Sequence, residues 1–420
     1  MAGNTSADLS LMREFNESLV LNLIRQAGPI SRAQIATKTH LSRSTVSSII
    51  NDLLEANLVI EIGTGRSRGG RRPIMLEFNC EAGYVVGIDL GATHLMVLLA
   101  DLGARPVIRL LEPFSVEDGP EVGLSHIEQL VQVSLKEANL GMERVFGVGI
   151  GIPGPLDFET GKPIFPPIMP GWHDTPIRQR LAERLGKPVH LDNDANLGAI
   201  GEFWWGGGRG AQNVAFIKVG TGIGCGFILG GQIYRGEIGS AGEIGHAVID
   251  EDGPACRCGS SGCLEAMAAA PAIVQMAQEA LVRGDPSLLP RDQVPTILDL
   301  IEAAKQGDPL SNRIFTQAGR RIGTALTSLV NLLNPGIIVI GGGVARAGSV
   351  FMEPLRETVR QRALPIAVQN TRIVESELGP DAIAIGAVTT VLRELFSGPD
   401  LAVSVRPHVT RVEETASSSS

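Results

Sequence analysis

The run Gly242-Glu243-Ile244-Gly245-His246 precedes Cys256-Arg257-Cys258 and Cys263, so three of the five cysteines fall within eight positions, ten residues after a histidine. Three soft thiolates and one imidazole fill the four positions of a tetrahedral zinc ion, and a closed shell of that kind is typical of structural zinc. Two acids frame the cluster, Glu243 before the histidine and Glu265 just after the last cysteine. Carboxylates and an imidazole clamped into one pocket suit a polyhydroxylated ligand, because sugar hydroxyls need fixed acceptors and donors. The alternative is a reduced cysteine cluster that merely packs. The spacing C-x-C-x4-C is not the commonest zinc-finger spacing, so the metal reading leans on the histidine and its surroundings.

Three glycine-rich turns follow apolar strand patterns. Tyr84 to Leu90 runs into Asp89-Leu90-Gly91-Ala92-Thr93, with a further strand from Leu95 to Ala100. Val219-Gly220-Thr221-Gly222-Ile223-Gly224 is a second turn, and Ile337 to Ile340 runs into Gly341-Gly342-Gly343. Glycine lets a phosphate approach the backbone, threonine offers a hydroxyl, and aspartate holds a metal through water. One such hairpin is explained equally well by a β-turn; recurrence is what points to the plan of the actin-like sugar kinases. No G-x-G-x-x-G opens a helix after the first strand, which disfavours a Rossmann reading. Between the turns lies His190-Leu191-Asp192-Asn193-Asp194-Ala195-Asn196. Phosphoryl transfer to a hydroxyl needs a carboxylate to accept the proton and polar groups to orient the sugar. Asp194 would be the base and Asn193 the orienting amide; equally, the segment is an Asp/Asn turn capping the next helix. Cys80 and Cys225 read as buried small residues, His126, His173 and His190 as surface or satisfied histidines, and His94 as strand packing.

The N-terminal stretch has a different character. Leu11, Phe15, Leu19, Leu23 and Ile24 recur at helical spacing until Gly28-Pro29. Ser31-Arg32-Ala33-Gln34 is a capping box opening a short helix to about Thr39. Ser42 caps another helix, with Val46, Ile49, Ile50, Leu53 and Leu54 on one face and Arg43, Ser44, Thr45, Ser47, Ser48 and Asn51 on the other. This is helix-turn-helix logic, short polar side chains near the second helix's start reaching bases and phosphates. A strand from Leu58 to Ile62, a glycine-rich hairpin with Arg66, Arg68, Arg71 and Arg72 in seven positions, and a strand to about Phe78 read as a wing. Residues 1–78 carry 9 Lys/Arg against 7 Asp/Glu and the remainder 27 against 38, so the overall charge of −9 hides a weakly basic head. At 420 residues and 44% hydrophobic, the chain has room for two or three domains. No apolar run of about 18 residues and no basic-then-apolar leader occur, so neither a membrane span nor secretion is expected, and the cysteine usage suits a reducing cytoplasm.

From about Tyr84 to Leu395 the chain resembles the ROK family (repressors, open reading frames, kinases). The resemblance is carried by Asp89-Leu90-Gly91-Ala92-Thr93, Gly149-Ile150-Gly151-Ile152-Pro153-Gly154-Pro155, Asn193-Asp194-Ala195-Asn196, the signature segment Val219 to His246, and Cys256-x-Cys-Gly-x-x-Gly-Cys263-Leu264-Glu265. It implies an α/β architecture: a winged helix-turn-helix followed by a two-lobed, actin-like (ribonuclease H-like) sugar-kinase fold. The layout is that of ROK transcriptional regulators such as the xylose and N-acetylglucosamine repressors. The expected divisions are 1–78, then 79–400 with lobes of roughly 84–196 and 197–398, and a disordered tail over 401–420. The resemblance assigns structural zinc to His246, Cys256, Cys258 and Cys263. It assigns sugar hydroxyls to Asn193, Asp194, Glu243, His246 and Glu265, with Asp194 as the base in family kinases. It also turns Asp89, Gly91, Thr93, Thr221 and Gly222 towards ATP phosphates and Gly341 to Gly343 towards the nucleoside. Family kinases often carry an asparagine before the tryptophan of the loop over the sugar; here the loop reads Ile168-Met169-Pro170-Gly171-Trp172. Several ROK repressors have lost the Asp-x-Gly-x-Thr hairpin, which this chain keeps.

The expected function is a sugar-responsive transcriptional regulator, a repressor of carbohydrate transport or catabolism genes. Ser42, Arg43, Ser44, Thr45, Ser48 and the four wing arginines would meet operator DNA, and a homodimer or dimer of dimers would match a palindromic site. The alternative is an ATP- and magnesium-dependent sugar kinase of glucokinase type, alone or in addition. Control by a transport protein is a third reading on which the sequence is silent.

Overall fold

The computed structural model describes residues 4–65, 72–164, 166 and 168–397, with side chains from residue 12 on. Two compact units divide these residues: one holds those up to Tyr84 with Asp101–Arg105 and Leu392 onward, the other Val85–Ala100 and Pro106–Val391. Among the described residues no helix is long and apolar enough to cross a membrane. The tail expected to be disordered, 401–420, lies outside the described residues, as do Arg66, Arg68 and Arg71.

In the first unit α1 (Asn4–Ala27), β1 (Ile30–Ser31), α2 (Arg32–Thr39), α3 (Arg43–Glu55), β2 (Val59–Thr64) and β3 (Ile74–Phe78) follow one another. The three strands order as β1-β3-β2, the sheet of a winged helix-turn-helix. The caps form as the sequence dictates. The Ser31 hydroxyl accepts from Gln34 N while the Gln34 side chain accepts from Ser31 N, and the Ser42 hydroxyl accepts from Thr45 N. Val46, Ile49, Ile50 and Leu53 are buried on α3. On α1 the buried stripe is Val20, Leu21 and Ile24, whereas Phe15 and Leu19 stand exposed, because the helix begins packing only from its middle.

The second unit is two-lobed. The first lobe holds β4 (Tyr84–Leu90), β5 (His94–Asp101), β6 (Pro106–Pro113), α4 (Pro120–Glu137), β7 (Val145–Ile152), the hairpin β8 (Leu156–Asp157) and β9 (Lys162–Pro163), α5 (Ile177–Leu185) and β10 (Val189–Asn193). Its sheet orders as β10-β7-β4-β5-β6. The second lobe follows α6 (Asp194–Trp205) with β11 (Val214–Val219), β12 (Ile223–Leu229) and β13 (Gln232–Tyr234). Then come α7 (Leu264–Ala268), α8 (Ala270–Arg283), α9 (Ile297–Lys305), α10 (Pro309–Leu333), β14 (Ile337–Gly341), α11 (Ser349–Arg362), α12 (Pro365–Val368), β15 (Arg372–Glu375) and α13 (Ala382–Ser397). The second sheet orders as β13-β12-β11-β14-β15.

Strand alternation covers both faces of that sheet. Ala215, Ile217, Val219, Ile338 and Ile340 face the helices of the second lobe, including Ile322 and Leu326 of α10. Val214, Phe216, Ile337 and Val339 face Leu197 and Ile200 of α6 and Ala382, Ile383 and Ala387 of α13. Small residues let α6 and α13 cross closely: a Cβ at Gly386 would lie 1.8 Å from Leu197 O. A Cβ at Gly149 of the first sheet would lie 2.3 Å from Ala387 O, so the same helix touches the first lobe's sheet as well. Burying two sheets against one helix pair leaves the carboxyl ends of the parallel strands facing a common cleft, where open α/β sheets bind ligands.

Candidate functional site

The cleft has a volume of about 710 Å³ and is lined by Asp89, Thr93, Asn193, Asp194 and Lys218 among others. The acids and imidazole that the sequence singled out, Glu243, His246 and Glu265, are on its wall, as are Thr221, Gly222 and Gly341 to Gly343. Gly91 is not among the lining residues: the His94 ring covers it, so that a Cβ at Gly91 would lie 2.2 Å from His94 Cε1. His94 Nε2 also meets Asp89 Oδ2 at 3.1 Å. Strand packing therefore does not account for His94; it belongs to the cleft.

His246, Cys256, Cys258 and Cys263 converge, their four ligand atoms lying within 4.8 Å of one another. Cys256 Sγ is 3.7 Å from His246 Nδ1, and Cys258 Sγ is 3.7 Å from Cys263 Sγ. A tetrahedral ion with bonds of about 2.3 Å to sulfur sets its ligands roughly 3.8 Å apart, so this donor set fits a bound metal ion. Nδ1 of His246 faces the sulfurs while Nε2 points to Glu243 Oε2, 3.9 Å away. One ring thus joins the cysteine cluster to the cleft. Burial raises the Glu243 carboxyl above its ordinary range, opposed by His246 and reinforced by Asp194 and Glu265. Glu265 opens α7 directly after Cys263, and its Oε2 accepts from Ile223 N at 2.9 Å under the Gly222 turn. The same oxygen would lie 2.7 Å from a Cβ at Gly222, so a side chain there would press on the carboxylate that holds the turn.

Asn193 ends β10 and caps α6: its Oδ1 accepts from Ala195 N and Asn196 N at 2.8 and 3.3 Å. Its Nδ2 donates to Gly154 O at 3.1 Å, which leaves one amide hydrogen without a partner among the described residues. The capping reading thus holds for Asn193, on a side chain that still lines the cleft. Asp194 is almost wholly buried at the first position of α6, and its Oδ2 receives a hydrogen bond from Lys218 Nζ. Burial raises the Asp194 carboxyl, against the pull of the Lys218 ammonium. Asp89 Oδ1 is buried with no hydrogen-bond partner among the described residues, an acceptor left for a ligand group. Gly342, at φ 89°, passes so close to β11 that a Cβ would lie 2.4 Å from Val219 O. Trp172 is buried with Nε1 donating to Val116 O at 2.7 Å, and Ile168 before it faces the cleft.

Two side chains escaped the sequence reading. Besides Lys218, Arg235 Nη2 and Nε donate to Asp192 Oδ2 at 2.7 and 3.0 Å, with the guanidinium 4.1 Å from the Phe158 ring centre. Asp192 Oδ1 in turn accepts from Asn196 Nδ2 at 2.9 Å and from Asn193 N at 2.8 Å. Arg235 reaches from the second lobe to the first and fixes the residues beneath the cleft. A lone lysine in an apolar strand and an arginine directly after the short strand β13 carry no spacing signal.

In the first unit, Arg43, Ser44 and Ser48 are exposed on α3 and Thr45 is half-buried. The Ser42 hydroxyl is committed to the cap and contacts Ser44 Oγ and Thr45 Oγ1 at 2.8 Å. Arg32 Nη1 donates to Asn51 Oδ1 at 2.9 Å, bracing α2 against α3. Arg72 is exposed.

The profile of the ROK family matches residues 85–394, and that of the MarR family matches residues 8–72. The chain is 31% identical to a xylose repressor of Caldicellulosiruptor bescii over 396 residues, 94% of this chain and 99% of that one. It is 35% identical to a glucokinase of Thermotoga maritima over 318 residues, 75% of this chain and 98% of that one. A crystal structure of a ROK family transcriptional regulator, a homologue of the Escherichia coli MLC protein, superposes with a TM-score of 0.77 at 28% identity, covering 94% of this chain and 99% of that one.

Proposed function

The chain belongs to the ROK family, and from that premise we propose that it is a sugar-responsive transcriptional repressor of carbohydrate transport or catabolism genes. The observation that carries the proposal is the pairing of two parts in one chain. One is a winged helix-turn-helix whose α3 presents Arg43, Ser44 and Ser48 to solvent. The other is a cleft lined by Asn193, Asp194, Glu243, His246 and Glu265. The full-length likeness to repressors supports it.

The ion of the cysteine cluster is zinc on this reading, held by His246 Nδ1 and the thiolates of Cys256, Cys258 and Cys263. Its part is to fix His246 and, through the start of α7, Glu265 against the sugar. Carboxylates and imidazole then accept and donate to hydroxyls, and the sugar shifts the balance between closure states of the two lobes. It does so only by binding one state more tightly than the other. DNA would be read by Arg43, Ser44, Thr45 and Ser48 in the major groove with Ser42 holding the helix start. The wing residues Arg66, Arg68, Arg71 and Arg72 would meet the backbone or minor groove. The protein would work in the cytoplasm as a homodimer, or a dimer of dimers, on a palindromic operator.

A second reading, phosphorylation of a sugar, is favoured by the retained glycine turns and the likeness to a glucokinase. Asp89 with its unpartnered Oδ1, Thr93, Thr221 and Gly222 would meet the phosphates, and Gly341 to Gly343 the nucleoside. Magnesium and ATP would supply the transferable phosphoryl group and neutralise its charge. The deciding experiment footprints the purified protein on genomic fragments with and without a sugar panel. Discrete palindromic sites beside sugar genes, released by one sugar, establish the repressor. Diffuse, salt-sensitive binding overturns it and leaves the kinase, to be read as sugar-dependent ADP release lost in Asp194→Asn.

A further inference from the structure

Lys218 stands in the strand Val214-Ala215-Phe216-Ile217-Lys218-Val219, whose other five residues are buried. Its own side chain is only 16% exposed, and its ammonium is bound to the Asp194 carboxylate. A cation in such a place persists only with a carboxylate beside it, so sequence position and partner are tied together. Burial works against the ammonium, but Asp194 and Asp89 outweigh it and hold Lys218 above the ordinary lysine range. The charged groups around Asp194 are thus Lys218 on β11 and Asp89 on β4, with Glu243 further along the wall. His94 on β5 engages Asp89, and His246 and Glu265 line the same wall. Each of the two carboxylates that phosphoryl transfer would use therefore already has a partner from the chain: Lys218 on Asp194 and His94 on Asp89.

A carboxylate so engaged keeps its strength as an acceptor, since hydrogen bonds to a charged acceptor are about twice as strong as neutral ones. As a base it is contested: burial raises the Asp194 carboxyl, and the bound ammonium pulls against that rise and occupies the oxygen that a proton would take. Transfer to a sugar hydroxyl requires the hydroxyl proton to move onto Asp194 as the oxygen bonds to phosphorus, and an ammonium in contact lowers the carboxylate's proton affinity. We propose that Lys218 is a positioning residue that holds Asp194 as a fixed, charged acceptor for one sugar hydroxyl and withdraws it from proton transfer, so that the cleft reads a sugar without phosphorylating it. This rests on the sugar-sensing reading above and explains how kinase-like turns coexist with a regulatory head.

The test uses the full chain, its variants Lys218→Met, Asp194→Asn and the pair combined, each checked by melting temperature for folding. D-glucose, D-xylose and N-acetyl-D-glucosamine are titrated calorimetrically from pH 6 to 9, and ADP release is followed with magnesium and ATP. The wild type is expected to bind one of the three with an affinity flat across that range and to release no ADP above the Asp194→Asn background. Lys218→Met should weaken that sugar at least tenfold at pH 7, because an unpaired buried carboxylate beside Asp89 takes up a proton; affinity should recover as pH rises. Adding Asp194→Asn to Lys218→Met should cost nothing further, since both act on one hydrogen bond. Additive losses would mean that Lys218 touches the sugar itself and overturn the proposal, as would unchanged affinity in Lys218→Met. Sugar-dependent ADP release by the wild type would overturn it too. If none of the three sugars binds the wild type, the sugar-sensing reading itself fails and the role of Lys218 falls with it.

Discussion

Glu265 shows what single residues contribute here, since it follows Cys263 by two positions and holds Ile223 N through its carboxylate. If the four ligand atoms hold zinc, metal analysis of the purified chain should find about one zinc per chain, and Cys258→Ser should reduce it severalfold. Sugar affinity should fall with the metal, by about 10–100-fold, because His246 and Glu265 lose their orientation. Undiminished sugar binding after chelation would separate the cluster from the site. Arg235→Ala should destabilise the chain by about 2–4 kcal/mol, read by denaturant unfolding, because Asp192 is left buried without its partner. Sugar affinity should also fall, Asp192 being what steadies Asn193 and Asn196. Residues with fixed spacing, such as Cys256-x-Cys258 or Asp89-x-Gly91, were legible because chain-local geometry fixes their chemistry. Lys218, Arg235 and the covering of Gly91 by His94 were not. The partners of Lys218 and Arg235 lie 24 and 43 positions away, and only the assembled sheets bring them together, while His94 folds back over a turn that its own type does not announce.

Elements were legible to the extent that their signals are local. The capping box at Ser31, the cap at Ser42 and the apolar face of α3 follow from hydrogen bonding and period, and each is present. Strand order and the crossing of α6 with α13 follow from contacts over nearly 200 residues, as between Leu197 and Gly386, and no window of sequence contains them. The longest helix carries its own test. Asp308 caps α10 from full burial, and its carboxylate accepts from Ser311 N and Leu288 N at 2.8 Å, from Ser311 Oγ at 2.6 Å and from Ser287 Oγ at 3.1 Å. Burial pushes this carboxyl up, but these hydrogen bonds outweigh it and hold it below its ordinary value. A depressed carboxylate stabilises the fold above its unfolded pKa of about 3.9, and that share is lost as pH falls through the lower folded value. Asp308→Asn should therefore cost about 1–3 kcal/mol at pH 7, and the difference from the wild type should shrink below pH 4. A difference that persists unchanged to pH 3 would place the effect in packing rather than in the charge.

At the scale of the whole molecule, repression requires that a sugar in one unit and DNA on the other exchange free energy. Tight sugar binding alone does not suffice, because a ligand equally content with both closure states shifts nothing. If the sugar weakens operator binding by some factor, the operator must weaken sugar binding by the same factor, whatever the route between the sites. The coupling expected of such proteins is about 1–3 kcal/mol, a factor of about 5–150. The expected outcome is that calorimetric titration of the inducing sugar gives an affinity lower by this factor when the protein is saturated with operator duplex. A scrambled duplex at the same salt should leave the sugar affinity unchanged. If the footprint is released by sugar while the two affinities are unlinked, release arises from a change of assembly or from a third component. A coupling factor smaller in Lys218→Met than in the wild type would show that the ion pair in the cleft helps set the equilibrium that α3 reports; an unchanged factor would confine the ion pair to sugar affinity.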